Sequence, residues 1–279
     1  MANAPTKPTT TVKKESSSAS GAFASLTIPI CIVVAICIFI FILGDPSHYK
    51  GGDPANEPNP GDLFGTVHKG GVIVPIIMSY LLMVIVFSIE RFVVIGKASG
   101  TGNVDAFVRK IQSFLNAGNI DAASAECDKQ KGSVANVIKS GLKKYREMEA
   151  EPNLDVDQKT LAIQKDIEEA TALEMPMLEQ NLTIIATLVS IGTLTGLLGT
   201  VIGMIKAFGE LAASGAPNQA ALSNSISEAL INTALGIGTS AISIVMYNLF
   251  TSKIDKLTYA IDETGFSIVQ TFAASHKNK

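Results

Sequence analysis

The sequence has few of the residues that catalytic and metal sites require. Its 279 residues include no tryptophan, three cysteines and three histidines. Cys31 and Cys37 fall within one apolar run and Cys127 stands alone, so we expect unpaired thiols and no disulfide framework. No histidine has metal-ligand spacing, and no Ser-His-Asp or nucleotide-binding motif is present. We therefore predict no metal, no cofactor and no enzymatic activity.

Charged residues are also scarce. Only 17% of the residues are Asp, Glu, Lys or Arg, 47% are hydrophobic, and the mean hydropathy is positive. These values favour an integral membrane protein, and the formal net charge of −3 argues against a nucleic-acid partner. Because tryptophan is absent, any aromatic belt at the membrane surface must come from Tyr49, Tyr80, Tyr247 and the phenylalanines.

Four apolar segments are each long enough to cross a lipid bilayer. We predict membrane helices at 26–43, 71–95, 178–208 and 226–252. For the first segment, the core of a signal peptide is the alternative. The segment is longer than the usual signal core, and Gly44-Asp45-Pro46 offers no cleavage pattern, which favours a retained helix.

The distribution of positive charge predicts the orientation. Lys and Arg number three in 1–25, eleven in 96–181 and four after residue 250, but two in 44–70 and none in 209–225. Positive residues collect in cytoplasmic segments, so we expect both termini in the cytoplasm. The predicted organisation is a disordered cytoplasmic tail at 1–25, periplasmic loops at 44–70 and 209–225, a helical cytoplasmic domain at 96–177 and a cytoplasmic tail at 253–279.

The third and fourth apolar segments each carry a face of small and hydroxyl residues, because residues three, four or seven apart share one side of a helix. On the third segment this face holds Thr193, Gly196, Thr200, Gly203 and Ala207; on the fourth it holds Thr233, Gly236, Ser240, Ser243 and Tyr247. Small residues at such spacing let membrane helices approach closely. We predict helix packing at Gly192, Gly196, Gly199, Gly203 and Gly236. Spacing alone does not decide whether the hydroxyls bond back to their own helices or serve an ion path.

Acidic residues lie only near the ends of the predicted spans. Glu228 precedes the small-residue face of the fourth segment. If its carboxylate lay deep in the bilayer, inserting it would cost roughly 2.5 kcal/mol or more; it could equally lie at the membrane interface. Glu90 is near the end of the second span, and Lys206 is at the outer end of the third. A chain that moves protons needs a titrating group or a water chain at depth. If this chain moves protons, we expect a partner helix to supply the carboxylate.

Two motifs resemble a known family. They read GLLGTVIGM at 196–204 and EALINTALG at 228–236, in that order across a short loop. With them, residues 177–261 resemble the MotA/TolQ/ExbB proton channel family, most closely its ExbB branch. The sequence IERF at 89–92, with Glu90 and Arg91, is similar to the family's acid-arginine pair at the inner end of an earlier helix. The first apolar segment is additional to the three-helix plan usual in that branch.

The resemblance implies a multi-pass protein of the bacterial inner membrane that assembles as a pentamer-like ring of identical subunits. The ring would surround a one-span, ExbD-like partner whose membrane aspartate carries the proton, and a TonB-like protein would receive the energy for transport across the outer membrane. By the same resemblance, Thr200 and Thr233 line the ring interior and Glu228 lies on that surface toward the outer side. Thr193 and Ser240 continue the predicted pathway.

Other functions remain open at this point. The same resemblance covers a TolQ-like subunit of envelope maintenance and a flagellar or gliding stator. A non-conducting membrane scaffold would use the small and hydroxyl residues for packing only. A solute transporter would be expected to show inverted repeats or helices broken at the membrane midplane, and neither is clear in this sequence.

Overall fold

The computed structural model describes residues 16–54, 56–213 and 219–276. Within them the regular structure is helical, apart from one isolated bridge between Tyr49 and Pro58, so the predicted all-α class is confirmed. A π-helical turn, Ile38–Leu43, continues the first helix, and two 3-10 turns follow at Pro46–His48 and Lys50–Gly52. The α-helices are α1 (Ser16–Cys37), α2 (Leu63–His68), α3 (Ile73–Ser99), α4 (Val104–Asn116), α5 (Ile120–Gln130), α6 (Gly132–Ala150), α7 (Val156–Glu179), α8 (Leu182–Ala213) and α9 (Gln219–His276).

Four helical segments of the described chain are long and apolar enough to cross a membrane, as predicted. They are Phe23–Leu43, Ile73–Asn116, Val156–Ala212 and Leu222–His276, and each overlaps one predicted span. Much of their apolar surface is open: Phe41, Leu194 and Val245, for example, are each more than 60% exposed. Such continuous apolar surface suits contact with lipid or with other helices rather than with water.

Several helices extend beyond the segments that hydropathy marked. Helix α1 begins at Ser16, inside the segment expected to be a disordered tail, whereas residues 1–15 of that tail lie outside the described residues. The loop expected at 44–70 contains the 3-10 turns and α2. The segment expected as a tail after residue 252 continues as α9 to His276, because it packs on the helical domain.

The helical domain consists of α4 to α7 and the last part of α9. Its core is made by the apolar faces of these helices and includes Phe107, Ile111, Leu142, Ile163 and Phe272, all at most 2% exposed. Lys256 on α9 pairs with Asp105 on α4 at 2.9 Å, and Gln112 donates to Glu263 at 3.0 Å. At about 1.5 Å per residue, the 58 residues of α9 span roughly 87 Å. One helix therefore joins the apolar region to the helical domain.

Candidate functional site

Helices α8 and α9 meet along the two small-residue stripes, a contact that we call the seam. Gly192 and Gly196 of α8 face Gly236 of α9: a Cβ atom added at Gly236 would lie 2.6 Å from the Gly192 carbonyl oxygen and 2.8 Å from the Gly196 Cα. Farther along, Gly199 faces the Asn232 side chain and Gly203 faces Ala229. The two backbones thus approach more closely than any side chain at these positions would allow.

Pairs of hydroxyl groups cross the seam beside the glycines. Thr200 and Thr233 are hydrogen-bonded to each other, and Thr193 Oγ1 donates to Ser240 Oγ at 2.8 Å. The Thr233 hydroxyl also lies 3.2 Å from the Gly196 carbonyl oxygen of the opposite helix. The structure therefore brings together the four hydroxyl residues that the sequence analysis singled out.

The paired hydroxyl groups of the seam are accessible from one side of the two helices. Gly196 and Gly236 are buried, whereas Thr200 and Thr233 are only half-buried and Thr193 is exposed. Exposed Leu197 flanks Thr200 on that side. A further helix can therefore contact the hydroxyls from the open side without disturbing the glycine contacts.

Glu228 lies near one end of the seam in an ion pair. Its carboxylate accepts from Lys206 Nζ at 2.7 Å, and its side chain is 16% exposed. The pair borders a polar cavity of about 630 Å³, which we call the loop cavity. It lies between the hairpin of α8 and α9 and the segment 44–72, and its lining includes Glu57, Thr66, Lys69, Lys206, Glu210, Ser225 and Glu228.

The segment 44–72 covers this end of the seam through a pair of glycines. Asn232 Nδ2 donates to the Gly70 carbonyl oxygen at 2.9 Å. Gly71 has a φ of 74°, and a Cβ atom added there would lie 2.5 Å from the Glu228 carboxylate. Only glycine combines this backbone conformation with so close an approach. Sequence reasoning did not predict this contact, although the Gly70-Gly71 pair before α3 was its visible signal.

Hydrogen bonds hold the covering segment in shape. The Tyr49 hydroxyl donates to the Leu43 carbonyl oxygen at 3.0 Å and lies 2.6 Å from His68 Nδ1. Burial, together with the nearby charge of Lys69, lowers the pKa of His68. Asp62 caps α2 and bonds to His48 Nδ1 at 2.8 Å; this bond, followed by that from the Gly65 amide, lowers the pKa of Asp62.

Glu90 and Arg91 lie at the opposite end of the apolar helices. Arg91 is 1% exposed and is ion-paired with Glu90. Its Nη1 donates to the carbonyl oxygens of Met177 and Leu178 at 3.1 and 3.2 Å, and Asn181 Nδ2 lies 3.4 Å from the Glu90 carboxylate. A buried guanidinium thus satisfies the last carbonyls of α7 and fastens α3 to the junction of α7 and α8.

The described residues contain no group of three His, Cys, Asp or Glu side chains arranged as metal ligands. The hydroxyl and carboxylate groups at the seam offer hydrogen bonding and proton exchange. Hydroxyl groups line the seam, with an ion-paired carboxylate near one end of it.

Comparison with known proteins agrees with this geometry. Residues 129–263, which include the seam, match the model of the MotA/TolQ/ExbB proton channel family. The Tol-Pal system protein TolQ of Pseudomonas aeruginosa is 24% identical over 209 residues, which cover 72% of this chain and 89% of the relative. A putative ExbB homologue of Methanothermobacter thermautotrophicus is 25% identical over 198 residues, covering 70% and 66%. The putative biopolymer transport protein ExbB-like 3 of Synechocystis is 33% identical over 88 residues, covering 31% and 42%. Residues 129–263, just under half of this chain, therefore match the MotA/TolQ/ExbB proton channel family.

Proposed function

We propose that this protein is the ring-forming membrane subunit of a proton-driven motor. In this proposal several copies surround the single membrane helices of an ExbD-like partner in the bacterial inner membrane, with both termini and the helical domain in the cytoplasm. The partner's membrane carboxylate carries the proton past the open side of the seam. A pentamer-like ring is the assembly that the family resemblance suggests.

The observation that carries the proposal is the line of paired hydroxyls between Thr200–Thr233 and Thr193–Ser240. Hydroxyl groups both donate and accept, so they can bond to a carboxyl group in either protonation state. Glu228 precedes this stretch of α9, and Asp255 is the first acidic residue after it. The carboxylate that changes protonation at depth must therefore come from outside these two helices.

The driving force is sufficient for such a cycle. Each elementary charge that crosses 100 mV gains roughly 2.3 kcal/mol. A protonated, neutral carboxyl group on the partner would pass the apolar surface around Leu197, and the ionised form would be held at the hydroxyls. One or a few protons can therefore bias a rotary or other conformational step.

For the downstream partner we propose a TonB-like protein, so that proton flow drives transport across the outer membrane. The motifs at 196–204 and 228–236, which resemble the ExbB branch most, support this choice. The second candidate is a TolQ-like subunit. It is favoured by the long match to TolQ, which covers 89% of that relative.

The test is proton-gradient-dependent uptake of an iron chelate in cells that carry Thr200→Val, Thr233→Val or Glu228→Gln. Thr200→Ser keeps the hydroxyl. Thr187→Val is a matched control, because Thr187 is exposed on α8 and bonds only to the Thr183 carbonyl of its own helix at 2.7 Å. We expect uptake to collapse in the two valine variants of the seam and to persist in both controls.

Membrane levels and co-purification of the one-span partner separate a lost proton path from lost assembly. Collapse of uptake with the partner still bound supports the motor. Unchanged uptake in both seam variants would refute it and favour a packing role, whereas loss of partner binding alone would favour the scaffold. If iron uptake is normal but detergent sensitivity of the envelope follows the same variants, the TolQ-like function replaces the TonB-linked one.

A further inference from the structure

A second polar cavity lies at the other end of the seam, where α7 gives way to α8. We call it the junction cavity. Its volume is about 400 Å³, which is room for several water molecules. Its polar lining comes from both sides of the seam and from the end of α7: Glu179, Thr183, Tyr247, Thr251 and Asp255.

The junction cavity lies on the same helix faces as the hydroxyl pairs. Thr200, Thr193 and Ala186 follow one another at seven-residue intervals on α8, and Thr233, Ser240 and Tyr247 do the same on α9. Seven residues are about two helical turns, or roughly 10 Å. Because Ala186 and Tyr247 line the cavity, it begins roughly 10 Å beyond the Thr193–Ser240 pair on the same line.

The length of α9 places the cavity across the membrane from Glu228. From Thr233 to Asp255 the helix advances by about 33 Å at 1.5 Å per residue. The hydrocarbon core of a bilayer is about 30 Å thick. Asp255 therefore reaches the opposite surface when Thr233 lies just inside the outer one.

The carboxylates of this cavity differ from several acids on this side of the molecule. Glu90, Asp105 and Glu126 are each held in an ion pair. Glu179 and Asp255 have neither an ion pair nor a hydrogen bond to another described residue. The nearby Thr251 Oγ1 is buried and also lacks a partner among the described atoms. Two exposed, unpaired carboxylates and a buried hydroxyl thus share one cavity.

We propose that the junction cavity is the inner port of the proton path, and that Asp255 and Glu179 accept the proton as it leaves the seam. This inference rests on the proposed function. In the step, a carboxyl group at the seam gives its proton through the hydroxyls to the Asp255 or Glu179 carboxylate, which becomes neutral. It then releases the proton to water on the inner side and regains its charge. Free carboxylates suit this role because no ion pair occupies the oxygens that accept the proton, and both side chains are exposed on the inner side.

The experiment measures proton flux driven by a potential in vesicles that contain the chain with its co-purified partner. The test variants are Asp255→Asn, Glu179→Gln and the double variant. Asp262→Asn is the matched control, because Asp262 is exposed on the same helix seven residues away and lines a different cavity. A positioned proton acceptor contributes about 10²–10⁴-fold to a transfer. We therefore expect the double variant to slow flux about tenfold or more, with Asp262→Asn unchanged.

A second variant tests the titration itself. Asp255→His combined with Glu179→Gln replaces the acceptors by one group whose ordinary pKa is about 6.5. We expect it to restore part of the flux and to move the dependence of flux on inner pH upward. A merely structural role of the two acids would not move that profile.

Thiol labelling, which needs no flux measurement, tests on which side of the membrane the junction cavity opens. Thr183→Cys, at an exposed position in the cavity lining and in a Cys37→Ser background, should react with a membrane-impermeant thiol reagent in inside-out vesicles and not in right-side-out ones. Reaction only from the outer side would overturn the assignment. If the double variant Asp255→Asn, Glu179→Gln conducts protons at the wild-type rate while Thr200→Val abolishes flux, the inner port is refuted and the proposed function is not. Unchanged flux in Thr200→Val as well would refute the proposed function together with it.

Discussion

Replacing Gly236 by alanine is the sharpest test of how α8 and α9 are held together. The added Cβ would lie 2.6 Å from the Gly192 carbonyl oxygen, 2.8 Å from the Gly196 Cα and 3.1 Å from the Gly196 amide nitrogen. All three are backbone atoms, so no side chain can rotate away. Ordinary contact begins near 3.4 Å, and the two helices must therefore move apart by about 0.8 Å at this point.

The cost follows from two effects. Overpacking of a close contact costs about 1–3 kcal/mol. The separation also stretches the Thr193–Ser240 hydrogen bond from 2.8 Å to about 3.6 Å, beyond hydrogen-bonding distance. Hydrogen bonds between membrane helices contribute about 0.6 kcal/mol on average. Alanine favours the helix over glycine by about 1 kcal/mol, which offsets part of this cost. We expect Gly236→Ala to lower the free energy of unfolding by about 1–3 kcal/mol.

The measurement is the free energy of unfolding in mixed micelles, followed by helical circular dichroism as the fraction of denaturing detergent rises. Gly238→Ala is the control, because it lies on the same helix two residues away and an added Cβ there meets nothing within 4 Å. Alanine favours the helix over glycine, so the control should be neutral or slightly more stable. Equal stability of the two variants would show that the glycine contact is not tight and would refute the close-packed seam.

Three further predictions concern other parts of the molecule. Arg91→Met should lower the free energy of unfolding by about 3 kcal/mol, because it leaves the Glu90 charge and the Met177 and Leu178 carbonyls without their partner. Denaturant titration measures this change. A decrease below about 1 kcal/mol would show that Arg91 does not fasten α3 to the end of α7. The pKa of His68 is lower in the folded state than in the unfolded state, so protonation of His68 favours unfolding. The free energy of unfolding therefore decreases as pH falls below about 6.5 toward the folded-state pKa. The protection factors of 44–72 against hydrogen exchange should accordingly fall over that range, and less so in His68→Gln; an equal fall in both would contradict the assignment. Burial raises the pKa of Cys127 to about 12, so its thiol should react with a maleimide at pH 7 only after unfolding, and rapid reaction of the native protein would show that the helical domain opens.

Local sequence was enough to predict the elements of this fold. An apolar run of about 20 residues needs no partner in order to be helical in a membrane, since every backbone group bonds within its own segment. The stripes through Thr200 and Thr233 were likewise readable, because the period of a helix decides which residues share a face. Boundaries were less predictable: α9 continues beyond residue 252 because its amphipathic end packs on α4, α6 and α7, and hydropathy does not report such contacts.

The sequence by itself determined that this protein has four apolar helices, a helical domain and two stripes of small and hydroxyl residues. Only the tertiary structure decided that the stripes face each other with Gly236 against Gly192 and Gly196, that Gly71 approaches Glu228, and that Arg91 reaches the end of α7. These contacts join residues 40 to about 160 positions apart. Their register depends on how whole helices pack, whereas the periodicity of a sequence records only which residues share one face of one helix.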